Sequence, residues 1–195
     1  MRKVMLTLAL VVAVSCVSFA DQWEDLVNSA LEGAPSRSKR KTSSGRRLLR
    51  EKVERVREID RRVPILIQHT EYAQAESLLK EALKLVVEFH GGIKHLDVAE
   101  RFASLGIVYM ASGDPRQASG AFTWALDIAG SILGAADYKL ANLYRFRAAA
   151  YYHEGRYKEA EDDAGMLLSI AASTFGPDSP QAAEAREMLR KIYQR

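Results

Sequence analysis

The chain has almost no cysteine. Its one thiol, Cys16, lies within the first twenty of 195 residues, which excludes a fold held by internal disulfides. Five prolines and twelve glycines exclude collagen-like and low-complexity classes, and 48% hydrophobic residues exclude wholesale disorder. The apolar run over 4–14 has eleven residues, whereas a membrane-spanning helix needs roughly 20, so no permanent anchor is expected. Catalytic signatures are missing too: there is no Gly-x-Ser-x-Gly, no phosphate-binding glycine loop, no dinucleotide fingerprint and no His-Glu-x-x-His. Of the four histidines (69, 90, 95 and 153), His90 and His95 stand five apart in an expected loop, a spacing that suits neither one helical face nor a known metal pattern. The acidic cluster Glu159, Glu161, Asp162 and Asp163 reads as a solvated helix face. No enzyme, metal or cofactor is therefore expected.

What is present begins with a leader. Arg2 and Lys3 precede the apolar run, and Ser18-Phe19-Ala20 supplies small residues for cleavage, so 1–20 is expected to be a signal peptide and the protein exported, periplasmic or secreted. A second reading takes Ala13-Val14-Ser15-Cys16 as a lipobox-like end, with lipid on Cys16. Residues 21–32 follow as a short amphipathic segment, with Trp23, Leu26, Val27, Ala30 and Leu31 on one helical face. Residues 33–47, without a hydrophobic residue between Pro35 and Arg47, are expected to form a basic flexible linker. Twelve basic and four acidic residues fall between 36 and 62, a net charge of +8, while the remainder from 63 onward carries −3. In an exported chain such a patch meets an anionic membrane surface or acidic protein more readily than nucleic acid, which is disfavoured; a plain solvated linker is the alternative.

From 48 to 195 apolar residues recur at helical spacing with no β-alternation, which predicts an all-α domain. Gly92, Gly134 and Gly176 lie 42 residues apart, and Ala99, Ala141 and Ala183 follow each by seven, the mark of stacked repeats in which each glycine ends a helix through a left-handed cap. In the middle period Phe102, Leu105, Gly106 and Tyr109 share one face, Ser112-Gly113-Asp114-Pro115 is a turn, and Ala118, Phe122 and Ala125 share the face of a second helix. The next period gives Ala148 and Tyr151, a turn at Glu154-Gly155-Arg156, then Ala160 and Ala164. An earlier copy has Ile59, Val63 and Leu66, then Tyr72, Ala75, Leu79 and Ala82, with Pro64 expected to kink its first helix or move its start.

Leu105-Gly106-x-x-Tyr109 with Ala118, Phe122 and Ala125 resembles the tetratricopeptide repeat signature, and the 42-residue period with Phe175-Gly176-Pro177-Asp178-Ser179-Pro180 resembles repeats of the kinesin-light-chain type. The resemblance implies a right-handed α-solenoid of antiparallel helix pairs: about three repeats and a C-terminal capping helix, with Leu189 and Tyr193 in phase. It also implies a concave face that binds a protein or peptide. Carried over position by position, that face takes Ile107 and Met110 from the middle repeat and Asn142, Arg145, Phe146 and Tyr152 from the next: an amide for peptide backbone, a guanidinium for a carboxylate and two rings that bury side chains. Its margins include Glu100, Ala103, Ser104, Ala149, His153, Glu187 and Met188, and the Lys/Asn clamp that holds chaperone tails is not matched. Two other roles compete with peptide binding: an envelope-tethered scaffold, held by Cys16 or the basic segment, and self-association into a homo-oligomer.

Overall fold

The computed structural model describes residues 43–195, and among them every regular element is helical. In chain order these are α1 (Ser43–Gln68), α2 (Tyr72–His90), α3 (Leu96–Ser112), α4 (Pro115–Leu133), α5 (Ala141–Glu154), α6 (Tyr157–Phe175) and α7 (Pro180–Tyr193), with a single 3-10 turn, Tyr138–Leu140, leading into α5. Each helix packs on the next in sequence, so three antiparallel pairs and a terminal helix stack into an all-α solenoid. The expected leader 1–20, the amphipathic segment 21–32 and the linker as far as 42 lie outside the described residues. Among the described residues no helix is long and apolar enough to cross a membrane.

The helical region starts earlier than expected, at Ser43 rather than 48. Nothing in Ser43-Ser44-Gly45-Arg46-Arg47 stops a helix that is already held downstream, and Arg47 pairs with Glu51 one turn on, at 3.5 Å. Nor does Pro64 move the start of α1, which runs through it to Gln68. Proline removes a single N–H there, and the burial of Ile59 and Val63 on the opposite face holds the last turn.

The short turns form as their residues require. Gly113 takes a left-handed conformation (φ 82°), Asp114 accepts a hydrogen bond from the Gln117 N–H at 3.0 Å, and Pro115 occupies the first turn of α4. The longer junctions differ from expectation. The left-handed cap of α2 is Gly91, not Gly92, whereas Gly134 and Gly176 combine positive φ with extended ψ (145° and 154°) and lead the chain straight away from the helix.

Packing follows the signature. Leu105, Ala118, Phe122 and Ala125 are fully buried, and a Cβ on Gly106 would sit 2.6 Å from the Phe122 ring, so only glycine lets α3 and α4 cross this closely. Ala148 and Ala160 are fully buried one period later. Tyrosines 109, 151 and 193 repeat every 42 residues, and two of them make the same contact. The Tyr109 hydroxyl donates to Glu76 of the preceding pair at 2.9 Å, and Tyr193 to Glu161 at 2.6 Å. Serine 119 occupies the corresponding place for Tyr151, which instead carries the Arg156 guanidinium 4.3 Å from its ring centroid. Burial, then Glu76, pushes the Tyr109 hydroxyl well above its ordinary range. Tyr109→Phe should accordingly lower stability by about 1 kcal/mol in urea unfolding, and Tyr193→Phe, whose ring is largely exposed, should change nothing measurable.

The terminal helix docks through Ala182, Ala185 and Ile192, backed by Met188 and Leu189. It sits as the first helix of a further pair would, with Tyr193 66% exposed. At the place of Gly106 and Ala148 it carries Arg190, whose guanidinium makes a two-pronged contact with Glu187 at 2.7 and 2.8 Å.

Candidate interaction surface

The first helices of the pairs, α1, α3, α5 and α7, line one side of the stack, and polar contacts run directly between them. Arg101 of α3 bonds Asp60 of α1, Arg145 of α5 donates to Glu184 of α7 at 3.1 Å, and Arg195, just beyond α7, donates to the Tyr152 hydroxyl at 2.6 Å.

On this side the residues expected to bind a partner separate into two groups. Ile107 is 40% exposed and Asn142 is exposed, its amide making no side-chain hydrogen bond among the described residues. Ala103 and Ala149, on the same two helices, are half-buried. The others support the surface from below. Phe146 stacks on Phe122 with ring centroids 5.6 Å apart, Met110 packs against the main core, and Tyr152 packs against Ala160, Ala164 and Ile192 while meeting Tyr157 edge-on. Arg145 is already occupied by Glu184 and lies 4.8 Å from the Phe146 centroid. Phe146 and Tyr152 are half-buried and already engaged with neighbouring helices, where a ring stabilises by filling the gap between them.

A buried charge pair went unseen in the sequence. Arg147 stands one period after Leu105, and its guanidinium grips Asp163 of α6 by two bonds of 2.7 and 2.8 Å while reaching Thr123 of α4 at 3.2 Å. Asp163 is 4% exposed, which corrects its reading as part of a solvated acidic face. Burial works against the Arg147 charge, but Asp163 outweighs it and its pKa is raised, so the group stays protonated throughout the accessible pH range. The pair lies near where the two hydrophobic clusters separate, one running from α1 to α5 and the other formed by α6 and α7.

From Lys52 onward the basic residues of α1 are paired. Arg55 binds Glu81 and Glu58, Lys52 binds Glu88, Arg57 and Arg61 reach Glu54, and Arg62 lies 3.6 Å from Glu58. At the junction of the first two pairs, His90, His95 and Asp97 come together, a meeting that a spacing of five residues in a loop had concealed.

Comparison with known proteins agrees with this architecture. Residues 140–181, one full period, match the tetratricopeptide repeat family. That repeat builds protein-interaction surfaces and is generally not catalytic. No curated protein matches the sequence. Among solved structures, the crystal structure of BtubC (BKLC) from P. vanneervenii superposes with a TM-score of 0.66 at 22% identity, over 88% of this chain and 65% of that one. The likeness is one of fold, and the chain spans just under two thirds of that protein's length.

Proposed function

We propose that the protein is an exported interaction module that holds an extended segment of a protein partner on the concave face formed by α3 and α5. The observation that carries this reading is the strip of α3 and α5 surface on which Ile107 and Asn142 are exposed and the small residues Ala103 and Ala149 are half-buried. An extended peptide needs such a strip: low relief so that its backbone can approach, an apolar contact for one side chain, and an amide that can both donate to and accept from the main chain. The polar contacts Arg145–Glu184 and Arg195–Tyr152 hold α5 against α7, so the Asn142 side of the strip is held in place before a ligand arrives. Export rests on the basic, apolar and small-residue succession of 1–20.

A photo-reactive amino acid placed at Ile107 or at Asn142, in cells that make the protein, should yield one common partner adduct. The same group at Asp127 or Ser169, exposed on second helices, should not. Adducts that arise equally from all four positions, or only from the second helices, would sink the concave-face reading.

A further inference from the structure

We infer that His90, His95 and Asp97 form a binding site for a borderline transition-metal dication such as Zn2+, placed at the junction between the first and second helix pairs. His90 is the last residue of α2, the left-handed Gly91 turns the chain back, His95 precedes α3 and Asp97 lies in its first turn. One donor atom from each of the three lies within 4.8 Å of the others. His90 Nε2 is 2.8 Å and His95 Nδ1 3.6 Å from Asp97 Oδ2. A tetrahedral ion with bonds of about 2.0–2.1 Å holds its ligands roughly 3.3 Å apart, between those two values.

The two imidazoles stack face to face, with centroids 3.3 Å apart and planes 14° from parallel. An imidazole binds a metal along a direction in its own plane, so a shared ion requires both rings to turn about their Cβ–Cγ bonds. The outward-facing His95 ring, 44% exposed, has solvent to turn into. His95 Nδ1 gives up only a 3.3 Å contact from the Asp97 N–H. The carboxylate neutralises one of the two positive charges, and two nitrogens with one oxygen favour Zn2+, Ni2+, Co2+ or Cu2+ over Mg2+ or Ca2+. The His90 side chain is 18% exposed against 44% for His95 and 51% for Asp97, so the site is closed on the α2 side and open outward, leaving a fourth position to water. A bound ion would tie the end of one pair to the start of the next, and because the unfolded chain lacks the site, it would raise Tm with metal concentration.

The test uses the full mature chain without an affinity tag, stripped by chelator and titrated with Zn2+ and Co2+. The inference expects one ion per chain, a visible Co2+ band of tetrahedral type and no competition from Mg2+. It also expects at least about a tenfold weaker affinity for His90→Ala, His95→Ala or Asp97→Asn, with His69→Ala and His153→Ala unchanged. In the unmodified chain, Zn2+ should shift the imidazole NMR signals of two of the four histidines, a readout that does not depend on any variant folding. Perturbation of none or of all four, or an Asp97→Asn chain that binds as tightly as the parent, would leave the cluster as a hydrogen-bonded loop latch and overturn the assignment.

Discussion

Asp163→Ala should destabilise the protein by about 3–5 kcal/mol, a large share of the total stability of a chain this size. The substitution removes a small exposed area but strands the Arg147 guanidinium, whose side chain is 17% exposed, without the carboxylate that holds it by two bonds. Thr123, the other polar partner, accepts from a different nitrogen and carries no charge. The size of the loss thus reports the stranded charge rather than the worth of the pair. Replacing both members, as Arg147→Met with Asp163→Leu, should recover most of the loss, because an apolar pair of similar volume leaves nothing unpaired. Urea unfolding of the parent, the single variant and the double variant checks this; a double variant no more stable than Asp163→Ala would show that the site depends on the pair itself.

The other large effect lies at the crossing of α3 and α4. Phe122→Ala should cost about 3–5 kcal/mol, since it empties the space of a ring with 0% exposure among close-packed neighbours. Gly106→Ala acts from the opposite side. Alanine favours a helix over glycine by about 1 kcal/mol, but its Cβ would lie 2.6–2.8 Å from three Phe122 ring carbons, and overpacking of that kind costs about 1–3 kcal/mol. The steric cost should prevail, leaving Gly106→Ala less stable than the parent. In a Phe122→Leu background the clash is gone and the same substitution should become neutral or favourable, a reversal of sign that a double-mutant cycle measures directly. Two additive substitutions would mean that the helices can slide apart at this point.

These two sites mark how far the sequence could be read. The period of 42 and the residues at its fixed steps foretold the helix pairs, because each mark is local: a glycine that ends a helix, a small residue at a crossing, a turn such as Ser112-Gly113-Asp114-Pro115. Gly106 and Phe122 were paired in the signature, and their contact followed. Arg147 and Asp163 were each visible, but on different helices, and helical periodicity describes one helix at a time. The signal in the sequence is an arginine, Arg147, at the step where the repeat places leucine. Phe146 shows a related limit: its place on a first helix is legible, but how its ring divides between solvent and a neighbouring helix depends on the size of its surroundings, and Phe122 stands near enough to stack on it. His90 and His95 stand five apart, a spacing that excludes a shared helical face but not a meeting across a loop that the left-handed Gly91 reverses.

Arg190 gives α7 a different outer face from the helices before it. At the equivalent step of α3 and α5 stand Gly106 and Ala148, and against Gly106 the ring of Phe122 is laid. On α7 the same step holds a long charged side chain gripped by Glu187 at 2.7 and 2.8 Å. The crossing point that is dry in the middle of the stack is wet here, and whatever approaches α7 at this step meets a charge before it meets a helix.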